Sequence, residues 1–461
     1  MRRICLILVL WGCSRLFAQT LSPEVKEFVK VDAPIIALEH VRVIDGTGAA
    51  AKDDQTLVLA NGKIRSVGGV IPGLVGMHDH MFYPMGNGVY GEMAYSFPRL
   101  YLAAGVTTIR TTGSLEPYTD LEVKRNIDTG ETPGPKIHAT GPYIEGKGSW
   151  VLQAHKLTGP DDATKFVNFW LDQGADNFKI YNFVTADELS AAIKAAHKRG
   201  AKVTGHLCSI GFRQAAQLGI DDLEHGLLVD TEFFSEKKAD ECPDVPDEGI
   251  RYGKMEIQSG PVHDTIVDLV QHHVALTSTL PVFEMDVPGR PSMQKRVLDA
   301  LTAEARSAVL VNKLSTTDQA RTRKRYGMDV SPWGAAFKKE MEFEREFAKQ
   351  GGLLLAGLDP TGMGGIVAGF GDQRELELLV EAGFSPLEAI HIATYNGAQY
   401  LGDLDKVGTI AAGKQADLVV IKGDPSQKIE DVENVEIVFK DGVGYDSAKL
   451  IESVKGMVGS R

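Results

Sequence analysis

Two histidines stand two residues apart in the stretch Val75–Tyr83, which reads VGMHDHMFY. They are His78 and His80, at the end of a short apolar run that opens with Pro72-Gly73. In an extended strand, positions i and i+2 point to the same face. Two imidazoles on one face at a strand mouth are placed to share a metal ion. An H-x-H pair alone reads equally well as two unrelated histidines. Four more residues change that reading. Lys179 lies in DNFKIY, His206 closes KVTGH, His225 closes DDLEH and Asp359 closes LLLAGLD. Neutral imidazoles and a carboxylate suit Zn²⁺ or a similar borderline cation. Lys179 is the odd member, because an ammonium repels a cation. It belongs there if CO₂ has carboxylated it to an anionic carbamate, and otherwise it is a buried lysine in an ion pair. His40, His197, His263, His272 and His273 fall in helices, turns or strand beginnings and read as structural or solvated.

The elements that must position these residues can be read from patterning. Apolar, mostly continuous strand candidates are Gly73–His80, Gly105–Thr112, Lys136–Gly141, Asn177–Tyr181, Lys202–His206, Ile220–His225, Val274–Thr279 and Leu353–Asp359. Continuous apolar strands are those of a parallel sheet covered on both faces. Helices fill most of the gaps. Thr185 with Glu188 and Ser385 with Glu388 fit the capping box, Pro160 and Pro386 suit a first helical turn, and Gly200 follows a helix end. The expected fold class is therefore α/β, a (β/α)8 TIM barrel over residues 73–402. All six candidate residues fall at C-terminal strand ends, the face where such barrels carry their active sites. Two insertions, 227–262 and 281–331, leave the same face and are candidate lids or, equally, oligomer contacts.

Short β segments flank this region. PIIALEHVRVIDG and TLVLANGKIRSVG precede it, with Asp45-Gly46 and Asn61-Gly62 as turn signals. ADLVVIKGD and NVEIVFKDG follow it. Together, residues 20–72 and 403–461 are expected to form a small composite β-sandwich domain built from both ends of the chain.

The N-terminus MRRICLILVLWGCSRLFAQT reads as a signal peptide over residues 1–19, with Arg2 and Arg3 before an apolar core. That places the protein in the periplasm or outside the cell. Of the 461 residues, removing these 19 leaves 46 basic against 62 acidic, a net charge of −16. Such a body disfavours nucleic acid and anionic membrane surfaces as partners. No later stretch is long and apolar enough to span a membrane. Cys5 and Cys13 fall in the leader, so Cys208 and Cys242 remain, either bridged or free.

The chain resembles the amidohydrolase superfamily, in its imidazolonepropionase-like and prolidase-like branch. The resemblance is carried by PGLVGMHDH, AGVTTIRTTG, GADNFKIY, VTGH and DDLEHG, and most specifically by EAGFSPLEAIHIATYNGAQYLG with VGTIAAGKQADLVVIKGDP. It implies two divalent metal ions, with Zn²⁺ first among the candidates. His78, His80, Lys179 and Asp359 would hold one; Lys179, as its CO₂-derived carbamate, with His206 and His225 would hold the other. A bridging hydroxide would attack a carbonyl, and Asp359 would act as general base and then acid. The implied function is hydrolysis of an amide bond in a small molecule, such as a dipeptide of X-Pro type or an N-acyl amino acid. A lactonase or a cyclic-imide or imidazolone-type hydrolase on the same site is the alternative, and a non-catalytic exported binding protein is the remote one. A mononuclear deaminase is disfavoured by Lys179. A homo-oligomer stays open.

Two departures from the family pattern stand out. Only Gly69-Val70-Ile71 separate the strand resembling NGKIRSVG from the first barrel strand. Where relatives carry a Gly-Gly-His after the third strand, this chain has GPYIEGKGSWVLQAHKLTG. His155 is the candidate in that longer loop to bind the substrate carbonyl, or else a solvent-facing histidine. Tyr181, two residues beyond Lys179 on the same face, is a second candidate substrate contact, or else a packed tyrosine.

Overall fold

The computed structural model describes residues 20–66, 70–86, 88–325 and 331–460. The expected signal peptide lies outside the described residues. Eight parallel strands form the frame: β1 (Leu74–Asp79), β2 (Val106–Thr111), β3 (Lys136–Ala139), β4 (Asn177–Ile180), β5 (Lys202–Gly205), β6 (Asp222–Glu224), β7 (Ala275–Ser278) and β8 (Leu354–Ala356). All eight expected strands are present, and each is shorter than its apolar run. The run outlasts the ladder because the residues past each strand end stay buried in loops.

Strands β1, β2 and β3 pair side by side, with Gly76 opposite Ile109 and Ile137 opposite the same Ile109. Strands β4 to β8 pair in sequence order within a second sheet. The sheets touch at both edges. The Asn177 carbonyl accepts from the Gly141 amide at 2.9 Å, and the Asp359 amide donates to the His78 carbonyl at 3.0 Å. Gly357 makes the second seam possible. A Cβ on it would fall 2.3 Å from the Cβ of His78, so only glycine admits β8 so close to β1.

Most residues of these strands are buried, as strands packed on both faces must be. The helices between them start as their sequences indicate. Thr185 and Ser385 accept from the amides of Glu188 and Glu388, and both glutamates reach back to the cap amides. Pro160 and Pro386 open their helices. Helices Pro160–Gln173 and Ala186–His197 send Ala163, Val167, Leu189 and Ile193 into the main core.

The two ends of the chain meet. Val29–Val31 and Ile71–Pro72 lie at the two edges of a five-stranded sheet whose centre is Leu418–Ile421, Val435–Lys440 and Val443–Asp446. Strands Ile35–Val43, Lys52–Ala60 and Lys63–Ser66 form a separate antiparallel sheet. A small core of Leu57, Leu59, Ile64, Leu418 and Phe439 sits between the two sheets. The short link before β1 is thus part of the sheet itself: Ile71 pairs with Val419 and Pro72 with Leu418.

Among the described residues, no helix is long and apolar enough to cross a membrane. Cys208 and Cys242, left open by the sequence, form a disulfide that ties the loop after β5 to the 227–262 insertion.

Candidate active site

Past the C-terminal ends of the strands, His78, His80, His225 and Asp359 come together. The Nε2 atoms of His78 and His80 both lie 3.6 Å from Asp359 carboxylate oxygens, and that of His225 lies 3.9 Å away. The ligand atoms of His78, His225 and Asp359 all fall within 4.8 Å of one another, and all three residues are buried. The His206 ring stands 4.5 Å from that of His225. His78, Lys179, His206, His225 and Asp359 line one cavity of about 250 Å³.

Each imidazole is aimed by its other nitrogen. His78 Nδ1 lies 2.6 Å from Glu224 Oε2. His80 Nδ1 bonds the Gly113 carbonyl at 3.1 Å, and His225 Nδ1 the Thr279 hydroxyl at 2.7 Å. With Nδ1 occupied as a donor, Nε2 carries the lone pair that faces the cavity. That is how metal-binding histidines are oriented by outer partners. Burial above all holds these three imidazoles below their usual pKa, and it brings His206 to about 3, so all four are neutral at pH 7. A neutral imidazole is the ligand form.

The backbone is bent to suit the rim. His225 has φ 71° and Asp359 φ 48°, left-handed conformations that a non-glycine residue rarely adopts. Both follow the last paired residue of their strands, β6 and β8. Strain of this kind collects at functional sites.

Beneath the rim is a buried polar floor that sequence patterning did not single out. Arg110 on β2 bonds Asp222 at 2.8 Å and Glu224 at 2.9 Å, and its Nε donates to the Met77 carbonyl at 2.8 Å. Thr204 also donates to Glu224. All three charged groups are fully buried. The available signal was an arginine inside VTTIRT and two acids at alternate positions in DDLEH. A charge on a doubly covered strand must have a partner there.

Lys179 is buried with no hydrogen-bond partner on Nζ, and its nearest carboxylate oxygen, on Glu224, is 4.0 Å away. Burial pushes its pKa down to about 8, against the pull of Glu224 and Asp359. Burial also raises Asp359 to about 6, opposed by the hydroxyl of Thr361 at 2.6 Å from Oδ1. Three inward imidazoles, a carboxylate and an unsatisfied buried amine fit the binding of divalent cations.

Tyr181 lines the cavity, its ring 4.7 Å from His206 and 5.1 Å from Tyr143. His155 does not reach it. Its Nε2 lies 3.1 Å from Asp162, its ring stacks on Phe166 at 4.6 Å, and the side chain is 40% exposed. The loop instead presents Trp150 and Val151 to the cavity. The acid at the start of helix Pro160–Gln173 draws His155 outward. Of the two insertions, 281–331 contributes Val282 and Phe283 to the cavity wall, and no described residue of 227–262 lines it.

Parallel strands bearing histidines, a lysine and an aspartate at their C-terminal ends define a metal-site α/β enzyme fold. Residues 348–444 match the amidohydrolase family. A protein from Bifidobacterium longum assigned as a prolidase shares the fold at a TM-score of 0.61 and 24% identity, covering 91% of this chain and 98% of its own. A Xaa-Pro dipeptidase with bound methionine aligns at 0.65 and 20%, covering 89% and 100%. The A. niger ochratoxinase aligns at 0.63 and 17%, covering 90% and 96%. No curated protein sequence matches the chain. At these identities the structural likeness is one of fold. Together with the family match over the β8 region, it puts the chain in the amidohydrolase superfamily.

Proposed function

We propose that the protein is a metal-dependent hydrolase that cleaves an amide bond in a small substrate. The observation that carries this is the convergence of three imidazole Nε2 atoms on Asp359, with Lys179 lining the same cavity. The family match and the fold shared with a Xaa-Pro dipeptidase support it. In this reading the eight strands are a (β/α)8 barrel over residues 73–402, and residues 20–72 with 403–461 form a composite β-sandwich domain. The leader and the Cys208–Cys242 bridge favour an oxidising, extracytoplasmic location.

His78, His80 and Asp359 would hold one divalent cation and His206 and His225 a second, with Lys179 as a carbamate shared between them. Such ions, Zn²⁺ first among them, supply Lewis acidity and lower the pKa of water. The chain's own groups do the rest. Glu224, Gly113 and Thr279 hold three imidazoles in one tautomer. The Asp359 carboxylate takes a proton from the attacking water and passes it to the leaving nitrogen. Thr361 orients that carboxylate. Tyr143, whose hydroxyl lies 3.2 Å from His80 Nε2, and Phe82, stacked on the His80 ring at 4.4 Å, keep bulk water from the rim.

The test is a screen of X-Pro dipeptides, N-acyl amino acids and other small amides on Zn²⁺-loaded protein in bicarbonate. Hydrolysis of an amide that is lost on removing metal is expected. Turnover of lactones or cyclic imides alone would move the assignment to that class. Absence of stoichiometric metal and of any hydrolysis would end the enzymatic reading.

A further inference from the structure

The cavity in front of the rim has an unusual wall. Away from the candidate ligands, six of its side chains are aromatic: Phe82, Tyr90, Tyr143, Trp150, Tyr181 and Phe283. They brace one another. Phe82 meets Tyr90 edge-on at 5.3 Å, and Tyr143 meets Tyr181 edge-on at 5.1 Å. Trp150 lines the cavity and is nevertheless 54% exposed. Its loop is not loose. The Gln153 side chain accepts from the Tyr90 amide at 3.4 Å and donates to the Tyr90 carbonyl at 3.5 Å, tying the loop to the hairpin that begins at Phe82. An indole held half in water at a cavity mouth leaves apolar area for a ligand to cover.

The charge of the wall is equally specific. Among the described residues, the lining carries no arginine and no lysine except Lys179 at the rim. Nearby arginines serve other partners. On the far side of helix Leu280–Glu284, Arg290 and Arg374 pair with Glu284, and Arg296 with Glu433. A carboxylate carried into the aromatic part of the cavity would lose water and find no cation. A neutral ring would lose little and gain edge-to-face contacts.

We propose that the substrate is a neutral amide with an aromatic or bulky apolar group beside the scissile bond, seated against Trp150 and the tyrosines, and that a free carboxylate on that group is selected against. This rests on the amide-hydrolase reading and narrows it to carboxylate-free members. The reaction is plain hydrolysis: water's oxygen bonds to the carbonyl carbon, the C–N bond breaks, and the amine leaves with a proton.

Two measurements test it. In matched substrates, an N-acyl-phenylalaninamide and the same compound with a free carboxylate, kcat/KM on Zn²⁺-loaded protein is expected to favour the neutral member by about tenfold or more. In calorimetric titrations of metal-free protein, where no cation can capture a carboxylate, the neutral compound should bind more tightly than its acid. Trp150→Ala should weaken that binding by about tenfold, Trp150→Phe should restore most of it, and metal content should not change. Equal or better use of the carboxylate member, or unaltered binding by Trp150→Ala, overturns the proposal. If the binding preference holds but neither compound nor any other amide is cleaved, the hydrolase reading fails and the cavity's preference stands.

Discussion

His78 and Glu224 are 146 residues apart in sequence and 2.6 Å apart in the structure, Nδ1 to Oε2. That single bond connects the rim to the buried floor. Glu224 also accepts from Arg110 and Thr204, so the orientation of His78 is fixed by a network that never reaches the cavity.

Glu224→Gln should therefore weaken metal binding without removing a ligand. Loss of an outer carboxylate of this kind lowers affinity by about 10–100-fold. Competition with a chelator measures it. The variant also strips Arg110 of one of its two carboxylates, so a loss of stability on the order of 3 kcal/mol is expected. Unchanged chelator competition would show that Glu224 serves the fold alone.

Lys179→Ala should lower the metal content per chain and abolish turnover while leaving the fold intact, because the side chain has no hydrogen-bond partner to lose. If Lys179 acts as a carbamate, bicarbonate should raise the metal content of the native protein and have no effect on the variant. Full metal loading of the variant would place Lys179 outside the site.

His138 gives a pH signature away from the site. Burial disfavours its charge, but hydrogen bonds from Asp176 and Asp403 outweigh this and raise it to about 9. A histidine raised in the folded state contributes stability that is complete below its unfolded pKa of about 6.5 and is lost as pH climbs to about 9. The loss should be on the order of 2–3 kcal/mol. Thermal denaturation from pH 6 to 9.5 would show Tm falling across that window, and His138→Gln should flatten the slope.

The Cys208–Cys242 bridge closes a loop across 34 positions. Chain-entropy estimates put its contribution near 3–4 kcal/mol. The double variant Cys208→Ser with Cys242→Ser should lower Tm accordingly. Because no described residue of the tethered 227–262 insertion lines the cavity, metal content should be unchanged.

The ligand set was legible in the sequence because it rests on local rules. Strands alternate with period two, apolar runs mark strands covered on both faces, and active-site residues of parallel folds sit at strand ends. His78, His80, Lys179, His206, His225 and Asp359 could be placed on five strand ends by those rules alone. The boundaries could not. Ile220–His225 shrinks to Asp222–Glu224 and Leu353–Asp359 to Leu354–Ala356. His225 and Asp359 have left the ladder in left-handed conformations, which hydrophobic patterning does not register.

What the tertiary structure decided was every choice made between distant segments. The sequence left Cys208 and Cys242 open, and the fold paired them. It offered His155 as a substrate contact, and the loop turned that histidine toward Asp162 and brought Trp150 to the cavity instead. It gave no hint that Arg110 would bind acids on β6, or that Phe82, Tyr143 and Phe283 would share a wall with Tyr181. Periodicity is a property of a few neighbouring residues. Partnerships across a hundred positions depend on how loops are routed, and only packing settles that.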